Sequence, residues 1–307
     1  MVDMTSPLST RSALAQSLCH TLSQYSIDEL VILSSTKPPR KASETSNTNP
    51  ADFLELSARY LETPPYMRER LFQPACKELH PDLQPIYETG NASILPHHQA
   101  LDASLPTPSP NGLIYRSGVT LKAQEPAPSY RRYVNAGLEQ LCTIAEPYPK
   151  STRVTLAIEP EEYENAIEKG RRIQASVVEP ESAPREEAGV YTGFTIRRAL
   201  GYSGMFEECP YAGGYDLNLA FSNFKEGGQD ASALDARENE GFKHLLIVVG
   251  EEEKLDGVLA RDGKLKDMGI KVTELFDLPL NTPKEASVED MLKEGLEHVQ
   301  KLIKAMK

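Results

Sequence analysis

The chain has 307 residues, enough for one large domain or two ordinary ones with an ample core, and we read two. Its formal net charge of −12 excludes a protein that grips nucleic acid over its whole surface, because phosphate binding needs concentrated positive charge, so any such surface is local. The four cysteines, Cys19, Cys76, Cys142 and Cys209, contain no CxxC pair, which argues against a zinc ribbon or a disulfide framework and for reduced thiols.

The opening MVDMTSPLSTRS has no basic segment leading into an apolar core, and no later run approaches the ~20 apolar residues of a membrane span. A soluble intracellular protein of the nucleus, nucleolus or cytoplasm is expected. Leu14, Leu18 and Leu22 recur behind Ser9 and Thr10, predicting an amphipathic helix over residues 10–25. IDELVILSS reads as a buried strand. Residues 35–50 are too polar to offset ordering entropy by burial and form a loop. Its KPPRK cluster is either a nuclear address or a solvated basic turn. Helices follow over 51–62 and 65–72, the second with Thr63 to cap and Pro65 just inside its start.

From about residue 80 prolines punctuate short alternating segments, LIYRSGVTLK, YVNAGLEQLCTI, RVTLAIE and RRIQASVVE, which suggest a small antiparallel barrel ending near Pro184. An α/β texture then returns. A helical stretch is expected from Gly189 to about Phe206, followed by a strand YDLNLAFS and a Gly/Asn/Asp loop over 223–241. Two further strands follow, HLLIVVG (His244 to Gly250) and VTELFDLPLNT (Val272 to Thr282). A last helix over 286–306 carries an apolar stripe of Val288, Leu292, Leu296, Val299, Ile303 and Met306. The barrel, residues 91–185, is therefore an insertion in a discontinuous α/β domain formed by 8–90 and 186–307. Aliphatic runs such as HLLIVVG lie in the middle of parallel sheets, and the ends of such strands are where an α/β protein places a ligand.

Several stretches occur together and in order: YLETPPYMR (Tyr60 to Arg68), LPHH (Leu95 to His98), YVNAG (Tyr133 to Gly137), GVYTGFTIRRALGYSGMFEECPYAGGYDL (Gly189 to Leu217), LLIVVG and ELFDLPLNT. In this the chain resembles the SPOUT-class RNA methyltransferases with an inserted OB-like barrel, such as the eukaryotic SPOUT-domain methyltransferase and its archaeal relatives. The resemblance implies an α/β trefoil-knotted SPOUT fold, S-adenosyl-L-methionine held in the knot loops, and a homodimer. By position it assigns the donor site to Val248, Val249 and Gly250, and to Leu278, Leu280, Asn281 and Thr282. An apolar slot for adenine and backbone hydrogen bonds are what these residues offer. The chain departs from the family around the same site. Gly250 is followed by Glu251, Glu252 and Glu253, which we read as three carboxylates beside the pocket, and the turn PKEASVED is shorter and lacks the family's arginine.

Arg197 matches an arginine of the family, either holding a phosphate or base or forming a structural salt bridge across the dimer. Asp216 is a base for a uridine N3 proton if burial raises its pKa, or else a turn cap. Adjacent His97 and His98 rarely point at one ion, which favours loop packing or RNA contact over a metal. On the barrel, Tyr130, Arg131, Arg132 and Tyr133, with Lys169, Arg171 and Arg172, form either a base-stacking and phosphate-binding patch or a tyrosine core face with a solvated outer face. The resemblance thus implies an S-adenosylmethionine-dependent methyltransferase acting on a base of RNA, expected to be ribosomal RNA, by positioning and proton removal. Its alternatives are an inactive knotted paralogue serving as an RNA- or protein-binding assembly factor, and a purely protein-binding dimer.

Overall fold

The computed structural model describes residues 4–35, 49–73, 79–99, 106–121, 132–230, 232–235, 241–283 and 285–305. KPPRK lies outside the described residues. The chain begins with α1 (Leu8–Gln24), β1 (Glu29–Ser34), α2 (Pro50–Glu62), α3 (Pro65–Phe72), α4 (Gln84–Glu88) and α5 (Pro96–Gln99). It continues through β2 (Ile114–Leu121), β3 (Arg132–Asn135), β4 (Cys142–Ile144), β5 (Arg153–Ile158), α6 (Pro160–Glu168), β6 (Ile173–Gln174), β7 (Ser176–Val178) and α7 (Ala183–Ala188). It ends with β8 (Thr195–Leu200), α8 (Gly201–Glu207), β9 (Leu217–Ser222), α9 (Ser232–Asp235), β10 (Leu245–Val249), α10 (Glu252–Leu259), β11 (Leu278–Asn281) and α11 (Val288–Ala305). This mixed α/β chain forms two compact units, one of Met1–Thr21, Glu29–Glu55 and Ile196–Lys307, the other of Leu22–Asp28 and Leu56–Thr195.

In the first unit β9 is the centre of a parallel sheet of order β10-β9-β11, while β1 pairs with β8. The register runs from Leu245 opposite Leu217 to Val249 opposite Phe221, and from Leu278 opposite Leu219 to Asn281 opposite Ser222. Alternation sends β9 side chains to two cores. Ala220 joins Leu246, Val248 and the apolar faces of α8 and α10, through Tyr202, Met205, Leu255, Val258 and Leu259. Leu217, Leu219 and Phe221 join Leu278 and Leu280 under Val299 and Leu302 of α11. Gly295 is what lets α11 lie on β9, since a Cβ there would sit 2.9 Å from the Phe221 ring.

Three sequence expectations are corrected here. Residues 189–206 are not one helix: Thr195–Leu200 is a strand, and only Gly201–Glu207 is helical. β-branched Thr195 and Ile196 favour the strand, and Gly201, at φ +72°, turns the chain between them. The strand predicted over Val272–Thr282 is shorter, because Val272–Leu275 is a 3-10 turn whose Glu274 carboxylate accepts from the Lys271 N–H at 2.8 Å. Within β11, Pro279 is tolerated because its face of the strand meets Gln229, not β9: the Pro279 carbonyl accepts from the Gln229 N–H at 2.8 Å. The third correction concerns Glu251–Glu253. They do not crowd a pocket as a block; Glu251 precedes α10 and Glu252 and Glu253 lie in its first turn, where the helix dipole favours carboxylates.

The second unit holds a six-stranded, nearly closed barrel of order β6-β4-β3-β2-β5-β7, antiparallel except for β4 with β6. Its core is Ile114, Val134, Cys142, Ile144, Val154, Leu156, Ile158 and Ile173, closed at one side by Ala166 of α6. The same unit contains a buried polar hub. The Glu62 carboxylate takes Nη1 and Nη2 of Arg153, the latter at 2.8 Å. The Glu62 carbonyl faces both histidine Nε2 atoms, His98 at 2.8 Å and His97 at 3.3 Å. The Leu95 N–H donates to His98 Nδ1 at 3.1 Å, so the neutral His98 ring carries its proton on Nε2 and donates it to Glu62. Ser23 holds His97 at both its N–H and its Nδ1. The two histidines are thus packing elements, tied to backbone.

Burial, reinforced by His97, lowers the His98 pKa to about 3, and burial lowers His97 as well. In the unfolded chain a histidine takes up its proton near ~6.5. Stability from these rings is therefore complete above that pH and is lost as pH falls toward the folded value. Urea unfolding followed on this unit is expected to show a loss of about 2 kcal/mol between neutral pH and about pH 5 from His98 alone. His98→Asn should flatten that dependence, and a wild-type midpoint that does not move with pH would contradict it.

Candidate functional site

Because β10, β9 and β11 run parallel, their C-terminal ends share one edge of the first unit. There the Gly250 N–H donates to the Phe221 carbonyl at 3.3 Å, and the Thr282 N–H to the Ser222 carbonyl at 2.9 Å. The edge thus gathers Gly250, Asn281 and Thr282, which the sequence had assigned together. Asn281 is exposed and its amide lies against Gly228, where a Cβ would be 2.2 Å from Oδ1. Thr282 is 7% exposed and its Oγ1 is a buried oxygen with no hydrogen-bond partner among the described residues. An unpartnered buried hydroxyl is costly unless something completes it.

The other four assigned residues do not reach this edge as an apolar slot. Leu278 and Leu280 are core side chains beneath α11, the latter wholly buried. Val248 points to the opposite core, and Val249 is half-buried beside α11. The cavity of about 410 Å³ in this unit instead lies between the turn after β9, α10 and the segment before β11. Phe224, Lys225, Glu226, Glu252, Asp256 and residues 270–273 line it. The sequence reading missed this cavity because it missed α10. The signal was present in EEEKLDGVLA, where Leu255, Val258 and Leu259 fall at helical spacing.

Arg197 and Asp216 have defined partners of their own. Arg197 Nε donates to Glu29 Oε1 at 2.8 Å, Nη2 to the Tyr215 hydroxyl at 3.0 Å, and the Gly204 and Met205 carbonyls complete its set. The Tyr215 hydroxyl donates in turn to Glu29 Oε2 at 2.6 Å. The guanidinium therefore binds β8 to β1 and to the end of α8, a salt bridge within the chain. Asp216 precedes β9, at the strand end opposite Ser222, a separation of roughly 20 Å along the strand. It accepts from the Lys243 and His244 N–H groups at 2.8 and 2.7 Å. Desolvation pushes its carboxyl up, but those N–H groups outweigh it and hold the carboxyl below its usual range, which suits a turn cap and not a base.

On the barrel the structure brings Arg172 and Tyr133 together. The guanidinium lies 4.2 Å from the ring centroid, and Nη1 donates to the hydroxyl at 3.1 Å. Arg171 is instead engaged by Glu162 in a bidentate pair at 2.6 and 2.7 Å. Lys169 is exposed at the end of α6, and Arg132 opens β3. Tyr130 and Arg131 lie outside the described residues.

The carboxyl ends of parallel strands, where Gly250, Asn281 and Thr282 lie, are where α/β proteins bind their ligands. Residues 1–298 match the family described as "Putative RNA methyltransferase", and the chain belongs to that family. It is 32% identical over 209 residues to a 28S rRNA (uridine-N(3))-methyltransferase of Drosophila melanogaster, covering 67% of this chain and 37% of the relative. It is 27% identical over 281 residues to the Homo sapiens protein of the same description, covering 89% of this chain and 66% of the relative. The Mus musculus protein is similar at 26% over 278 residues, covering 89% and 65%. The chain therefore spans less than two-thirds of the length of these relatives.

Removing the Arg197 guanidinium leaves Glu29, whose side chain is 7% exposed, without its cation. Arg197→Ala is expected to cost on the order of 3 kcal/mol in urea unfolding of this unit, and Arg197→Lys to recover less than half, because an ammonium cannot reproduce the fork. A midpoint unchanged in the alanine variant would remove this structural role.

Proposed function

We propose that the chain transfers a methyl group from S-adenosylmethionine to N3 of a uridine in ribosomal RNA. The observation that carries the reading is the meeting of Gly250, Asn281 and the Thr282 hydroxyl, buried without a partner among the described residues, at the edge of the parallel sheet in a chain of this RNA methyltransferase family. These residues suit the donor: beside Gly250 at the end of β10, Asn281 offers an exposed amide and Thr282 a buried hydroxyl without a partner among the described residues. When bound, the donor supplies an activated methyl group. The protein's part is to hold the acceptor in line and to accept its proton. Family resemblance further supports a trefoil knot in the first unit, a homodimer that completes the site, and an intracellular location.

The barrel's Tyr133 and Arg172 are proposed as the RNA-contacting pair, with Lys169 and Arg132 as further contacts; base stacking on such a surface contributes ~1–3 kcal/mol per base. Arg171, already neutralised by Glu162, has a structural part there. A second reading, an assembly factor that binds RNA or protein without methyl transfer, is favoured by the short turn after Thr282. Ser287 and Asp290 close that turn onto α11 through local hydrogen bonds and leave no arginine in it.

Titration calorimetry with S-adenosylhomocysteine separates the two readings. Micromolar binding is expected, abolished in Gly250→Trp, whose ring would fill the space beside Leu255; a Cβ at Gly250 already comes within 3.1 Å of that side chain. No heat at millimolar ligand would leave the assembly-factor reading. Asp216→Asn should change the methyl-transfer rate by less than about threefold, whereas loss of a general base costs ~10²–10⁴-fold, so a loss of that size would restore Asp216 to the chemistry.

A further inference from the structure

The cavity beside the donor edge has so far no role. Its volume of about 410 Å³ falls in the range of small-molecule pockets, ~300–1,000 Å³. Its apolar floor is Phe224 and Val272, both buried, with Ile270 packed beside them. Two ammonium groups stand at the rim. Lys225 pairs with Glu253 at 3.4 Å and Lys271 with Glu226 at 3.2 Å, all four side chains largely exposed. Exposed pairs of this kind contribute little, so either lysine is available to a phosphate. Of the two carboxylates on the facing side of α10, Glu252 is engaged, accepting from the Lys225 N–H with both oxygens at 3.2 and 3.1 Å. One turn further on, the Asp256 carboxylate accepts no hydrogen bond among the described residues.

An apolar floor, cations at the rim and one disengaged carboxylate are what a nucleotide with an acidic ring N–H requires. We propose that this cavity receives the acceptor base of the methyl transfer, an imide-bearing pyrimidine, and that Asp256 takes its ring proton. The inference rests on the methyl-transfer reading. The ring stacks over Phe224 and Val272, and Lys225 and Lys271 meet the flanking phosphates. The ring N–H bond breaks toward an Asp256 oxygen and the nitrogen keeps the electron pair; with it the nitrogen bonds to the donor's methyl carbon as the carbon–sulfur bond breaks and S-adenosylhomocysteine leaves, and the carboxyl later releases the proton to water. The electrostatics agree with this role. Burial first, then Glu252, pushes the Asp256 carboxyl up, with Lys225 opposing, while Glu226 and Lys271 face the same cavity. A base with a raised pKa is the better proton acceptor.

The test uses the purified full chain with hexauridylate and S-adenosylhomocysteine as separate binding probes, and single-turnover methylation of large-subunit ribosomal RNA. The double variant K225E/K271E should weaken hexauridylate at least about tenfold and leave S-adenosylhomocysteine unchanged. Asp256→Asn should bind both probes as wild type does, yet methylate ~10²–10⁴-fold more slowly and lose the acid limb of the pH profile, with partial recovery in Asp256→Glu. Unchanged hexauridylate affinity in the double variant overturns the proposal. So does loss of S-adenosylhomocysteine binding in its place, which would make the cavity the donor's, and so does a wild-type rate in Asp256→Asn. Failure of the wild-type chain to bind S-adenosylhomocysteine would instead sink the methyl-transfer reading, while the hexauridylate arm still decides what the cavity holds.

Discussion

The candidate site depends on β9 being hydrogen-bonded on both sides. A strand paired once can slip, and a slip of one residue exchanges every side chain between faces. β9 cannot slip without breaking its register to both β10 and β11, and each face is pinned by a separate core. Phe221 is the tightest of these anchors, buried beneath Gly295 of α11 with no room for a side chain between them. From that fixed strand follow the positions of Ser222, of Gly250 and of Thr282, and hence the edge on which the proposed chemistry is placed.

The same constraint explains which residues are free to act. Side chains inside the strands, Leu278, Leu280 and Val248, are committed to holding the sheet together. Those at the strand ends keep side chains that no core claims, and that is where Asn281, Thr282 and the turn into α10 lie. Arg197 and Asp216 show the complementary case. Each is polar and placed within a stretch on which the family resemblance rests, but each spends its hydrogen-bonding capacity on its own chain, Arg197 on Glu29 and Tyr215, Asp216 on two backbone N–H groups. A charged residue in a motif is as often a brace as a reagent.

Much of the fold was legible because periodicity is local. The parallel strands read as aliphatic runs, and the stripe of α11 as a repeat of three and four; β10 and α11 formed close to the expected bounds, while β11 is only the end of the run expected there. The barrel's strands were legible as alternating segments between prolines. What was not legible depended on neighbours distant in sequence. Nothing in TIRRAL states that it will pair with β1, so Gly189–Phe206 read as a helix, and Glu251–Glu253 read as three carboxylates beside the pocket because the helix they start is defined by Leu255 and Val258 packing in the core with α8. The site was half legible for the same reason. Gly250, Asn281 and Thr282 follow from strand ends, whereas the cavity at Asp256 exists only once α10 folds against Val272. The buried hub of Glu62, Arg153, His97 and His98 likewise joins residues far apart in the chain, and only its histidines drew notice in the sequence.

The central claim is that this edge supports methyl transfer to a uridine. Its most direct measurement is incubation of the purified chain with methyl-labelled S-adenosylmethionine and unmodified large-subunit ribosomal RNA, followed by digestion to nucleosides and separation. The account predicts label in 3-methyluridine, absent when Gly250→Trp replaces the wild type. Label confined to another nucleoside, or none with a chain that remains folded, would contradict it.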